Sequence, residues 1–186
     1  MSLVELIARA DARGLAGSGL ACLDRCVPLL DGDDEILRPL WAALADDAMP
    51  GPGWARELER ARDALAGPDA SGEDEAVLLA RRMLAAAPAE CSGAGIRTWA
   101  DACSVASLRI HRLLDPAGDA AGEDLRRQDG AESPSPLVAA ELRRQLTVLN
   151  ALTGHGPAGL RRALEISTEG RRVLRAVVSR RARGRA

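Results

Sequence analysis

The 186-residue chain contains no lysine, phenylalanine or tyrosine, and Asn150 is its one asparagine. All 25 of its cationic side chains are therefore arginine. P-loop nucleotide-binding proteins, protein kinases, Ser-x-x-Lys acyl enzymes and Schiff-base enzymes all require a lysine, so these classes are excluded. Without Phe or Tyr, three tryptophans remain to stack on nucleic-acid bases, which argues against RNA-recognition sheets and OB-folds.

The missing residue types also have a genomic explanation. Lys, Phe, Tyr, Asn and Ile use AT-rich codons, and all five are rare or absent. The composition is typical of a high-GC bacterium, such as an actinobacterium. We interpret the arginine content as genome bias, although the excluded chemistries stay excluded whatever the cause.

The remaining composition predicts helices. Ala, Leu, Arg and Glu make up 100 of the 186 residues, which is typical of long helices. Val, Ile and Thr, which favour strands, contribute only 18 residues. We therefore predict an all-α, single-domain antiparallel helical bundle of about 7–8 helices over residues 1–186, without a sheet. The short Gly/Pro connections also fit stacked helical hairpins.

Apolar periodicity and capping signals place the helices along the chain. They are predicted at about 3–13, 19–30, 31–44, 54–65, 73–87, 96–114, 137–152 and 157–181. Ser2 and Glu5 form a predicted capping box, Gly14 and Gly17 are expected to end the first helix, and Ser18 to cap the second. Residues 117–134 are predicted to be a mobile acidic, Gly/Ala-rich loop, and 182–186 a basic tail.

The N-terminal segment predicts a location inside the cell. Residues 1–14 carry charges at helical spacing and lack an unbroken apolar run, which is unlike a signal peptide. No stretch approaches the ~18 apolar residues of a transmembrane helix. We therefore expect a cytoplasmic protein with reduced thiols and no transmembrane segment.

The charge of the chain is divided unevenly. Residues 1–155 hold 16 Arg against 25 acids, a net charge of −9, whereas 156–186 hold nine Arg against two Glu, a net charge of +7. The predicted binding face consists of five arginines of the last helix: Arg171, Arg172, Arg175, Arg180 and Arg181. An acidic protein partner or self-association is the favoured use of this face, and nucleic-acid phosphate is the alternative. The acidic body could instead hold the basic segment, or the arginines could simply be a solvated helix face.

Other features of the last helix refine this interpretation. Ser167 and Gly170 narrow its apolar stripe and predict a close helix crossing. The stripe lacks the aromatic residues of membrane-surface helices, which disfavours a lipid partner. Trp54, beside a Pro-Gly break on a charged helix, is expected to be partly exposed and is a candidate partner anchor. Trp41 and Trp99 are expected in the core.

The cysteines suggest a third function, a thiol or zinc sensor. Cys22 and Cys26 are one helical turn apart, and Cys103 and His111 lie on one later helix, so the four could form a tetrahedral site. A second Cys-x₂₋₄-Cys pair is missing, and buried free cysteine is common. The weak candidates Cys22, Cys26, Cys103 and His111 therefore do not amount to a predicted metal site, and no cofactor is predicted.

No catalytic pattern is recognisable in the sequence. It contains no His-Glu-x-x-His, no Glu-x-x-His and no Gly-x-Ser-x-Gly. A spatial Ser/His/Asp triad leaves no such pattern, so sequence alone does not decide this point. The favoured prediction is a non-catalytic helical protein-interaction or regulatory module that uses the basic C-terminal helix.

Overall fold

The computed structural model describes residues 2–46, 52–67, 74–90, 93–115, 135–153 and 156–185. Within these ranges the chain forms eight α-helices and contains no strand, which confirms the all-α bundle. The helices are α1 (Leu3–Arg9), α2 (Ala12–Cys26), α3 (Arg38–Ala45), α4 (Pro52–Ala64), α5 (Glu75–Ala85), α6 (Gly93–Leu114), α7 (Pro136–Leu152) and α8 (Gly156–Arg185), with a short 3-10 helix, Val27–Leu29, after α2. The predicted loop at 117–134 lies outside the described residues.

Two local sequence signals determine helix boundaries as predicted. The Ser2 hydroxyl accepts from the Glu5 amide at 3.3 Å, and the Glu5 carboxylate accepts from the Ser2 amide at 2.8 Å, which completes the capping box. Proline sets the next boundaries, because it fits the first turn of a helix and interrupts the interior. Pro28 lies in the 3-10 helix that ends α2, and Pro39 lies in the first turn of α3, which starts only at Arg38.

The boundary between the first two helices differs from the prediction. The expected helix over 3–13 stops at Arg9, and the Asp11 carboxylate caps α2 by accepting from the Gly14 amide at 2.7 Å. This carboxylate satisfies an amide that the first turn of a helix leaves unpaired. Gly14 therefore lies in the first turn of α2, and Ser18 lies inside α2 instead of capping it.

The glycines of α2 permit close packing. A Cβ at Gly19 would lie 2.5 Å from the Trp99 ring of α6, and one at Gly17 would lie 3.0 Å from Leu152 of α7. Every residue of α2 from Gly14 to Cys26 is buried, and α2 contacts α3, α5, α6, α7 and α8. The sequence pattern that we interpreted as helix termination instead identifies the central helix of the bundle.

Replacing Gly19 with Ala is expected to destabilise the protein by about 1–3 kcal/mol, although alanine favours a helix by about 1 kcal/mol. The added methyl would overlap an enclosed indole that has little room to move. Urea denaturation measures the change. Gly93, where a Cβ would meet nothing within 4 Å, is the matched control. A Gly19→Ala variant as stable as Gly93→Ala would contradict this packing.

The last helix, α8, carries the basic segment across the body. It packs against α2 and α7 and runs to Arg185, so residues 182–185 of the predicted tail are helical. Leu160, Ala163, Ser167, Gly170 and Leu174 form its buried stripe. From Val173 onward only Leu174 is fully buried among the side chains that the structure describes. Not one of the described helices combines the length and the apolar character needed to cross a bilayer.

Candidate functional site

The first arginine of the predicted binding face is buried in an ion pair. Arg171 is 4% exposed, and its Nη1 donates to Asp24 Oδ1 at 2.5 Å. The indole of Trp41 donates to the other oxygen of Asp24 at 3.3 Å. Burial raises the pKa of the Asp24 carboxyl above its ordinary value, and Arg171 and Trp41 oppose that rise. Arg171 therefore fastens α8 to α2 and does not belong to an accessible binding face.

Two further arginines of α8 contact the body. Arg175 donates to Asp34 Oδ1 at 2.8 Å and to the Gly32 carbonyl at 3.3 Å, with 45% of its side chain exposed. Arg181, near the end of the helix, donates to the Leu113 carbonyl at 2.5 Å. These contacts agree with the alternative in which the body holds the basic segment.

The C-terminal half of α8 presents three other arginines on its outward face. Arg172, Arg180 and Arg183 are exposed, and no acceptor among the described residues pairs with them. We name these three residues the outer arginine row. The ends of the row are 11 residue steps apart, or about 17 Å at 1.5 Å per residue. Of the five arginines predicted to form one face, only Arg172 and Arg180 thus remain unpaired, and Arg183 joins them.

A groove of about 520 Å³ lies beside this row, between α3 and α8. Five carboxylates and three guanidinium groups line it together with three uncharged residues: Asp24, Asp34, Glu35, Glu165, Glu169, Arg38, Arg171, Arg172, Trp41, Leu164 and Thr168. The one hydroxyl, Thr168 Oγ1, donates to the Leu164 carbonyl at 2.9 Å. The lining thus contains charge of both signs but no histidine, serine or cysteine.

A second group of polar residues lies inside the bundle around Glu141 of α7. Arg25 and Glu141 are both fully buried, and their side chains form two hydrogen bonds of 2.9 and 2.6 Å. Glu141 also accepts from Ser107 at 2.8 Å and from Gln145 at 3.0 Å. The carboxylate therefore receives four hydrogen bonds, and we name Arg25, Ser107, Glu141, Gln145 and His111 the Glu141 cluster.

The Glu141 cluster determines which face of α7 points inward. The sequence predicts Leu142, Leu146, Leu149 and Leu152 on the inner face. In the structure Glu141, Gln145, Val148 and Leu149 are buried, whereas Leu142 and Leu146 are only partly buried. Hydrophobicity alone gave the wrong rotation, because it places a carboxylate outside unless a buried cation is known to pair with it.

Arg25 holds the ionised form of Glu141 in place. Burial disfavours the charge of Glu141, but Arg25 and the hydrogen bonds outweigh that effect and lower the pKa of Glu141 to about 2. Burial likewise disfavours the charge of Arg25, and Glu141 reverses this and raises the pKa of Arg25 above its ordinary value. Loss of one partner of such a buried pair leaves the charge of the other uncompensated.

His111 occupies the edge of the Glu141 cluster and is 1% exposed. Its Nδ1 lies 2.7 Å from the Ser107 carbonyl, so Nδ1 carries the hydrogen of the neutral ring. Its Nε2 lies 3.5 Å from Glu141 Oε2. Burial lowers the pKa of His111 below its ordinary value of 6.5, although Glu141 acts in the opposite direction.

Acid unfolding is expected to report on His111. Below about pH 6.5 His111 is protonated in the unfolded chain but still neutral in the folded chain. Stability therefore falls as the pH falls. For one proton the slope cannot exceed about 1.4 kcal/mol per pH unit, and it levels off once folded His111 is protonated. Urea denaturation between pH 8 and 5 measures this slope. His111→Gln should remove it, and an unchanged slope in that variant would exclude His111 as its source.

The three cysteines of the proposed sensor, Cys22, Cys26 and Cys103, are all buried. Burial raises the pKa of the Cys22 thiol to about 12, and it also raises the pKa values of Cys26 and Cys103. Cys22 accepts from Arg25 at 3.4 Å, and Cys26 lies 4.0 Å from Ser107 Oγ. In the described part of the chain, no three His, Cys, Asp or Glu side chains are grouped to hold a metal ion. These positions favour the thiols as packing residues.

Trp54 is not the exposed anchor that its sequence context suggests. It is 1% exposed, and its indole donates to the Pro88 carbonyl at 2.8 Å. Its ring packs edge-on against Trp99, with the ring centroids 6.2 Å apart. The expectation of partial exposure is wrong, because the charged face of α4 points away from the bundle and Trp54 lies on the opposite face. Trp41 and Trp99 are buried, as predicted.

Comparisons of the chain with protein-family models, curated proteins and solved structures found no match. The outer arginine row, the groove beside it and the Glu141 cluster are therefore interpreted from their own geometry.

Proposed function

We propose that this chain is a non-catalytic helical interaction module that binds an acidic protein partner through the outer arginine row of α8. The proposed setting is the cytoplasm of a high-GC, actinobacterium-like bacterium. One observation carries the proposal. Arg171, Arg175 and Arg181 are held by the body, whereas Arg172, Arg180 and Arg183 are exposed without an acceptor among the described residues.

The held arginines would prepare the row for binding. A helix fixed along its length loses little conformational freedom when a partner docks, so less of the interaction energy is spent on ordering. Each exposed guanidinium can bind a carboxylate through two parallel hydrogen bonds, which compact ammonium groups cannot match. Val173, 36% exposed, lies beside Arg172 and adds apolar surface at the proposed contact.

Charge distribution supports an acidic partner. The row lies on a region of net charge +7, while the rest of the chain carries −9. This difference in net charge favours an acidic partner near α8 over the rest of the chain.

The test compares two triple variants that remove the same charge. Arg172→Gln, Arg180→Gln and Arg183→Gln together should weaken binding of a fluorescent 20-residue poly-glutamate probe at least tenfold, a loss of about 1.4 kcal/mol. The matched control replaces Arg82, Arg143 and Arg161, which are also exposed. Equal weakening by both variants would reduce the effect to net charge and overturn the proposal, as would no binding by the wild type.

Nucleic acid is the second candidate, favoured by one observation: residues 170–186 contain no acid at all. Three phosphate contacts would give a salt slope of about −2.7, so affinity for a 20-bp duplex should fall about 40-fold between 50 and 200 mM salt. Duplex binding with that slope, lost in the outer-row variant, would favour nucleic acid over an acidic protein.

Self-association through the acidic body of a second copy would appear as concentration-dependent sedimentation that the outer-row variant abolishes.

A further inference from the structure

Two arginine side chains, one fully and one partly buried, converge on Gly170, where α8 crosses α2 and α7. A Cβ at Gly170 would lie 2.4 Å from Arg25 Cδ and 3.1 Å from Arg144 Cδ. The narrow part of the stripe predicted at Ser167 and Gly170 thus leaves room for the aliphatic parts of two arginine side chains. The aliphatic stems of an arginine from α2 and an arginine from α7 therefore meet at one place on the third helix.

Each of these guanidinium groups has a buried nitrogen that is not hydrogen-bonded. Arg25 Nη1 and Arg144 Nη1 are inaccessible to solvent and have no partner among the described residues. Arg25 is fully buried, and Arg144 is partly buried, although α7 lies at the surface. A buried cationic donor without an acceptor is costly, so native proteins almost always supply one.

The neighbouring carboxylate cannot serve both arginines. Glu141 already accepts four hydrogen bonds, two of them from Arg25 Nε and Nη2. With His111 neutral, Arg25, Arg144 and Glu141 together carry one uncompensated positive charge. A single anion placed between the two Nη1 groups would supply both missing acceptors and neutralise that charge.

We propose that Arg25 and Arg144 form an oxyanion-binding site beside Gly170, which takes phosphate or a carboxylate. Arg25 contributes a donor that Glu141 already orients, so the site is ordered before the ligand binds. Arg144 lies at the partly exposed side and closes the site from α7. The ligand would tie α2, α7 and α8 together. The site is separate from the outer arginine row and does not depend on the proposed function.

The experiment measures Tm in phosphate, in acetate and in chloride at equal ionic strength. At about ten times its Kd, the bound anion should raise the Tm of the wild type by about 4 °C over chloride. Arg144→Gln should abolish the rise, because it removes one of the two donors. Arg143→Gln, at the exposed neighbouring position, is the matched control and should keep the rise. A rise in phosphate alone or in acetate alone identifies the anion class.

Three results would overturn the site. These are no rise in either anion, a rise that persists in Arg144→Gln, and a rise that Arg143→Gln also loses. General salting effects stabilise all variants alike and are removed by the comparison. Arg144→Gln should also fold normally in chloride, because it deletes an unpaired buried donor. Loss of the anion response with an unchanged Tm in chloride therefore separates ligand binding from damage to the fold. Replacing the outer row should leave the response intact, which distinguishes the two proposals.

Discussion

Replacing Glu141 with Gln is expected to lower the free energy of unfolding by about 3–5 kcal/mol. The substitution keeps the shape of the side chain but leaves Arg25 charged, fully buried and without its counter-ion. Breaking a buried pair by removing one partner has this cost because the remaining charge cannot return to water without unfolding. Urea denaturation at pH 7.5 measures the loss, and Glu169→Gln on the exposed face of α8 is the control.

A double variant separates charge from packing in this experiment. Arg25→Met with Glu141→Leu removes both charges and keeps most of the volume, so it should recover part of the stability that Glu141→Gln loses. Recovery stays incomplete because Ser107 and Gln145 lose their common acceptor. A loss below about 1 kcal/mol in Glu141→Gln would mean that the carboxylate is not the buried counter-ion described here.

Replacing Arg171 with Gln is expected to cost about 3 kcal/mol. The Asp24 carboxylate would be left buried with Trp41 as its remaining donor, and α8 would lose its innermost attachment to α2. Protonation of Asp24 limits the loss, because burial already raises the pKa of this carboxyl. Urea denaturation near neutral pH measures the change.

The control for Arg171 lies nine residues further along the same helix. Arg180→Gln removes an exposed arginine without a described partner, so its effect on stability should stay within about 0.5 kcal/mol. The two variants should rank the opposite way in binding of the poly-glutamate probe. Relative to its small effect on stability, Arg180→Gln should weaken binding more than Arg171→Gln does. Equal stability losses in both variants would contradict the assignment of Arg171 to the core.

Much of the fold was predictable because it depends on local interactions. The absence of strand-forming residues, the capping box at Ser2 and the prolines at 28 and 39 act over a few residues each. The glycines of α2 were misinterpreted because their role depends on Trp99 and Leu152, which are far away in sequence. Glycine ends a helix when exposed and permits close packing when buried, and sequence alone does not distinguish these cases.

The division of the arginines on α8 was partly visible in the sequence. Arg171 follows Ser167 by four residues and precedes Leu174 by three, so helical spacing places it on the buried stripe. Arg172 is one position further round and faces solvent. Net charge hid this difference, because it counts both residues alike.

The Glu141 cluster left a weaker signal. The clue is Arg25, a cation in the otherwise weakly charged α2. The structure shows that Arg25 is entirely buried, and a buried cation requires a buried acid as its partner. Of the many acids in the chain, only three-dimensional packing identifies Glu141 as that partner. For the same reason the proposed site at Gly170 could not be predicted, since it needs residues from three helices.

The measurement that tests the central claim most directly is residue-resolved modification of arginine by phenylglyoxal, followed by mass spectrometry of the native protein. Arg172, Arg180 and Arg183 should react at the rate of exposed arginine. Arg25 and Arg171 should react only when the structure opens, and therefore many times more slowly. Fast modification of Arg171, or protection of the outer arginine row in the protein alone, would contradict the division of α8 into held and available arginines.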